Sequence, residues 1–339
     1  MRYFAGGNTA EGFQSCFGDI LPTRAQRRMF YIKGGPGVGK SSLMKQVGSA
    51  LEAKGEKVEY FYCSSDPDSL DGVAAPALGV GMMDGTAPHV YDPVIPGGRD
   101  TLVSLGDYLD EKKLQQNRSE LIRLTCEIGN LFRRAYAYLG AASRVLAATG
   151  ESEQAPQAVA RLCGELTERY LPLRGGRGKK RELYISAYTP KGFMSFISDL
   201  PREKCVSLTT EFGQNGDAPL RALMESSLSR GLDIIALRDP LLPDVLAHLY
   251  LPDFGILFTT DTIEDAAETI ALAELYPPTT RSERERSFDR NAYELMLLRA
   301  VEQIKTAKTL HDELETYYVS AMDFLRWQQK LDSLLQELS

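Results

Sequence analysis

"YIKGGPGVGKSSLMKQVG", residues 31–48, decides how the rest of the chain is read. Gly34-Gly35-Pro36-Gly37-Val38-Gly39-Lys40-Ser41 fits the pattern GxxxxGK[S/T], and each position has a physical reason. Glycines let the backbone wrap an anion, so successive amide N–H groups point at phosphate oxygens. A helix starting at Lys40 adds its dipole and its free amides. The Lys40 ammonium reaches β- and γ-phosphates, and the Ser41 hydroxyl suits Mg²⁺. The nucleotide-binding candidates are therefore Gly34, Gly35, Pro36, Gly37, Val38, Gly39, Lys40, Ser41 and Ser42. The context agrees. Residues 27–35 form a β-rich run that breaks into glycines, and residues 40–55 place apolar side chains at helical spacing and end on Gly55.

Working outward, residues 57–63 ("KVEYFYC") read as a strand, and residues 78–86 form an apolar, strand-like run that reaches Asp84. Strand, loop, helix, strand, strand predicts an α/β fold of the P-loop NTPase type with a parallel sheet. Asp84 then sits at the carboxyl edge of that sheet and joins Ser41 as a Mg²⁺ candidate. The loop "CSSDPDSLDG", residues 63–72, brings Asp66, Asp68 and Asp71 to the same edge. One of them can position water or accept a proton, and turn chemistry explains the same residues. Asp66 is the better catalytic candidate beside Lys40 and Asp84, because Pro67 and Asp68 recur later as Pro243 and Asp244. Thr86 and His89 follow as candidates for sensing the γ-phosphate or a substrate, although a lone histidine in a proline-rich loop is commonly just exposed. Gly85 stands where many fast hydrolases carry a glutamate. An arginine finger would come from Arg118, Arg123, Arg133, Arg134 or a second unit.

That second unit is legible as self-similarity. Residues 8–21 match residues 188–201 at an offset of 180, with Thr9/Thr189, Gly12/Gly192, Phe13/Phe193, Ser15/Ser195 and Asp19/Asp199 coinciding. Farther on the offset becomes 176, with Gly55/Gly231, Leu70/Leu246, Pro76/Pro252 and Gly79/Gly255. Each α/β block precedes a helical stretch (107–171, broken near 148–156, and 289–338) expected to fold as a hairpin. The expected domains are 1–173 and 181–339, joined near the basic stretch 174–182. In the second, "TEFGQNGDAPL" (210–220) replaces the cradle. Gly216 matches Gly39, but Asp217 replaces Lys40 and Ala218 replaces Ser41. A carboxylate repels a triphosphate, and alanine cannot ligate Mg²⁺. "GRGKK" (176–180) precedes a strand rather than following one and reads as a basic linker.

Bulk properties set bounds. The 339-residue chain has a net charge of −7, which argues against general nucleic-acid binding. Five scattered cysteines without CxxC spacing read as reduced thiols. The first residues lack an apolar signal-peptide core, and no run is long enough to span a membrane, so the expected location is the cytoplasm.

"GGPGVGKSSLMKQ", "EYFYCSSDPDSLDGV", "MMDGTAPHVYDP" and "SAYTPKGF" together resemble a Firmicutes-type family of bacterial tandem P-loop ATPase-like proteins. The resemblance spans nearly the whole chain. It implies ATP binding and names no substrate. In that family the second unit often keeps its own phosphate loop, and this sequence departs there. Three readings stay open: a Mg²⁺-dependent ATPase with one active site, a nucleotide-dependent switch acting on a protein partner, and a small-molecule or nucleotide kinase.

Overall fold

A computed structural model describes residues 1–22, 25–87, 90–149, 155–276 and 281–338. The N-terminal half runs β1 (Arg2–Phe4), a hairpin of β2 (Gly6–Thr9) and β3 (Gly12–Ser15), β4 (Arg28–Lys33), α1 (Lys40–Ala53), β5 (Glu59–Tyr62), β6 (Leu70–Ala75), β7 (Val80–Asp84) and β8 (Asp100–Ser104). Helices α2 (Glu111–Gln116), α3 (Arg118–Thr149) and α4 (Pro156–Tyr170) follow. The C-terminal half runs β9 (Lys180–Leu183), a hairpin of β10 (Ser186–Thr189) and β11 (Gly192–Ser195), β12 (Lys204–Thr209), α5 (Asp217–Ser229), β13 (Ile234–Arg238), β14 (Leu246–Leu251), β15 (Ile256–Thr259) and β16 (Glu268–Ala271). It ends in α6 (Glu283–Ser320) and α7 (Phe324–Glu337).

Two six-stranded sheets result, ordered β1-β5-β6-β7-β4-β8 and β9-β13-β14-β15-β12-β16. Both are mixed, which corrects the expected all-parallel sheet. β6 is antiparallel to β5 and β7, and β14 is antiparallel to β13 and β15. The cause is the connection after β6. Leu78 and Gly79 donate back to Ala75 and Pro76 in a tight turn, far too short for a parallel crossover.

β4 is buried on both faces, and its alternation divides it between two cores. Phe30 and Ile32 pack with Leu43, Met44 and Val47 of α1. Met29 and Tyr31 join Tyr3, Phe4, Tyr184, Phe196 and Leu237 in a core shared by both halves. The seam of that shared core is reciprocal. Phe4 N donates to Tyr184 O at 2.9 Å and Tyr184 N to Phe4 O at 3.2 Å. Asp19 accepts from Glu182 N at 3.2 Å, and Asp199 accepts from the Arg2 guanidinium at 2.5 Å. The buried Arg181 guanidinium grips Glu59 through two bonds of 3.1 and 2.9 Å.

The helices do not fold as a hairpin within each half. α3 leaves the first half and runs antiparallel to α6, which returns from the second. Beyond this crossing, α4 packs Val159, Cys163 and Leu166 against Leu220 and Leu223 of α5. α7 packs Trp327, Leu331 and Leu334 against α1. The two docks are anchored alike. Ala155 N, capping α4, donates to Leu275 O at 3.0 Å, and Asp323 N, capping α7, donates to Tyr108 O at 2.9 Å. An amphipathic helix buries its apolar stripe wherever a complementary surface is offered, and here each surface belongs to the opposite half. Among the described residues no helix is long and apolar enough to cross a membrane. The five cysteines are free thiols.

Candidate functional site

The interior strand β4, between β7 and β8, ends at Lys33, and the chain turns through Gly34–Gly39 into α1. Gly39 caps the helix with φ 84°, a left-handed conformation that favours glycine, and it offers no side chain to the first-turn amides. Val38 is fully buried and anchors the loop, while Ser42 is exposed. Lys40 Nζ donates to Gly34 O at 2.9 Å and Gly35 O at 2.7 Å, and it lies 3.5 Å from Asp84 Oδ2. Ser41 Oγ accepts from Leu70 N at 2.9 Å. Thr86 N donates to Asp84 Oδ1 at 2.8 Å, and Thr86 Oγ1 donates to Gly34 O at 3.1 Å. Lys40, Ser41, Asp84 and Thr86 therefore gather at one sheet edge, as the sequence predicts.

Asp71 is the acid that sequence reasoning undervalued. It stands in β6 rather than in a loop, and it is 5% exposed. Burial first, and then the charge of Asp84, push its carboxyl up to about 8, while Lys40 pulls the other way. Its Oδ2 is buried without a hydrogen-bond partner among the described residues. Asp71 thus neighbours Asp84 and Lys40 at this edge, and carboxylate and hydroxyl oxygens are the donors a hard divalent cation takes. No alternation marks "LDGVAA", because all six residues of β6 are buried.

Asp66 shapes its own turn by accepting from Asp68 N at 3.3 Å and Ser69 Oγ at 2.7 Å. Its Oδ2 also lies 3.6 Å from Lys308 Nζ, a cation brought in by α6. Burial alone would lower the Lys308 ammonium, but Asp312 and Asp66 outweigh it and the net shift is upward. Asp68 is exposed and pairs with Lys191 of the second half at 2.7 Å. Arg123 is spent on Glu120 and Glu127 at the surface, and Arg133 bonds Asn130. His89 lies outside the described residues.

No sequence signal marked the roof of this edge. A Cβ at Gly35 would fall 2.6 Å from the Tyr318 ring, and one at Gly39 would fall 2.8 Å from Trp327 Nε1. Helices of the C-terminal half thus lie directly on the glycine loop. Trp327 is 7% exposed, and its Nε1 has no hydrogen-bond partner among the described residues.

The corresponding place in the second half is closed differently. Gly216 caps α5, and Asp217 Oδ1 accepts from Leu246 N at 2.8 Å, the bond that Ser41 makes to Leu70 in the first half. Asp217 Oδ2 is held by Arg221 Nε at 2.7 Å. The end of α3 lies over Gly213, where a Cβ would fall 3.0 Å from Thr149 O. In the basic stretch, Lys180 pairs with Glu182 and Lys179 N bonds Asp233.

A sequence model of the family described as "Nephrocystin 3, N-terminal" matches residues 13–75, the segment from β3 to β6 that carries the glycine loop. No curated protein and no solved structure matches the chain.

Proposed function

We propose that the chain is a P-loop nucleotide-binding protein of duplicated build, in which the first half binds ATP with Mg²⁺ and hydrolyses it and the second half has lost its phosphate loop. The observation that carries this reading is Lys40, held among the described residues by loop carbonyls and Asp84 at the mouth of a glycine turn. A lysine bound this way exchanges two carbonyls for phosphate oxygens with little rearrangement. The amides of residues 37–42 accept the phosphate charge, and Ser41, Asp84 and Asp71 supply the cation's protein oxygens. Bound Mg²⁺ neutralises phosphate charge and orients the leaving group. Asp66 is the candidate for holding the attacking water, with Lys308 supplying positive charge from the other half. The matching strand orders, reciprocal seam and paired helix docks support the duplication.

Gly85 in the place of a catalytic glutamate favours a second reading, a slow switch that binds ATP and signals through the α3–α6 pair to a partner. The experiment uses Trp327, the chain's single tryptophan, as its reporter. Titration with Mg-ATP should change its fluorescence, and phosphate release should follow. Lys40→Ala should weaken binding about 10- to 100-fold, the size of lost charge-assisted hydrogen bonds. Binding without release above the Lys40→Ala level selects the switch. Absence of nucleotide binding to the wild type refutes both readings.

A further inference from the structure

The glycine loop accounts for the phosphates of a nucleotide and for nothing beyond them. We propose that the nucleoside end lies in the groove between the start of α3 and Tyr318 of α6, and that this groove takes a purine by stacking. The inference rests on the triphosphate reading above and adds the site of the base.

Topology directs the ligand there. β8 flanks β4 on the side away from β7, and Leu105 N donates to Lys33 O at 2.8 Å as the chain leaves the sheet. Beside the loop, Leu105 Cβ is 3.4 Å from where a Gly34 Cβ would stand. The chain then passes into α2 and α3, whose Leu114, Arg118, Leu121 and Ile122 line a groove of about 400 Å³ with Tyr318. That volume falls within the ~300–1,000 Å³ of small-molecule sites. Tyr318 belongs to both places, because its ring also packs on Gly35. A ligand seated on the loop meets this ring as it leaves.

The chemistry fits a flat heteroaromatic ring. The walls combine aliphatic Leu114, Leu121 and Ile122 with polar Gln115 and Thr125 and with Cys126, and they add one tyrosine ring and one guanidinium, both groups that stack on a base. Ile122 is 53% exposed, and a stacked base would cover it. Tyr318 comes from the C-terminal half, so the base site is complete only when both halves are present.

The test compares Mg-ATP with Mg-tripolyphosphate, which offers the phosphates alone, by calorimetry on the full chain. The wild type should bind ATP about tenfold or more tighter, the scale of one base stacked on an aromatic side chain. Ile122→Glu should remove most of that advantage with tripolyphosphate affinity unchanged. Tyr318→Ala should also lower the preference for ATP over tripolyphosphate, and Tyr318→Phe should restore it. Equal binding of the two ligands by the wild type, or an Ile122→Glu chain with undiminished preference for ATP, overturns the groove and leaves the phosphate loop standing. Failure of the wild type to bind either ligand overturns both.

Discussion

The loops at 34–41 and 210–217 occupy the same place in two sheets of one strand order, and they do opposite things with it. The first holds a lysine on two of its own loop carbonyls. The second holds a carboxylate that is already satisfied by a backbone amide and an arginine. What the halves keep in common is mostly turn and seam chemistry. Thr9 and Thr189 donate to Gly12 O and Gly192 O at 2.8 and 2.9 Å, and Ser15 and Ser195 each accept an amide two residues on at 3.3 Å. These shared features are set by burial and turns rather than by ligand.

The sharpest way to break this comparison is to cut each exchanged helix free. Trp327→Ala should destabilise the first half by about 3–5 kcal/mol, and Leu166→Ala the second by about 2–5 kcal/mol. Denaturant unfolding would measure both losses. Only Trp327→Ala should also impair nucleotide binding, because of the two docked helices α7 touches the Lys40 loop and α4 packs on α5. Equal effects of the two variants on nucleotide binding would erase the functional distinction between the halves.

The two halves should also respond to pH with opposite sign. Asp71 has its carboxyl raised from 3.8 to about 8, so the stability it contributes is complete below about pH 4 and is lost as pH rises through 8. His248, fully enclosed in β14 and 2.7 Å from Thr259 Oγ1, is held below its ordinary 6.5 by burial. Its contribution is present above pH 6.5 and is lost as pH falls through the lower folded value. Thermal melts across pH should show Asp71→Asn flattening the alkaline decline and His248→Gln flattening the acidic one.

The smallest effect belongs to the exposed bridge between the halves. Asp68→Asn removes the Lys191 contact and should cost less than about 1 kcal/mol, fading further in salt. A larger loss in salt-dependent melts would mean that this pair helps to hold the halves together.

Much of the first half was readable in the sequence. The β4–loop–α1 passage follows from periodicity and glycine placement, and the Lys40–Asp84 proximity follows from where strands end. β6 was hidden because "SLDG" has turn composition and a strand buried on both faces shows no alternation, and with it went Asp71 and the antiparallel pairing. The crossing of α3 and α6 was not legible. Helical periodicity says which face is apolar and leaves open which surface it meets. For the same reason Lys308, Tyr318 and Trp327, about 240 to 290 residues from the residues they approach, carried no local signal.

The exchange of helices has a consequence for synthesis. A ribosome delivers the glycine loop early, yet the core beneath α1 lacks Trp327, Leu331 and Leu334 until residues 324–337 have emerged. That core therefore stays incomplete while the chain is still growing through its second half, and a product terminated before residue 324 would carry the glycine loop without the helix that covers it.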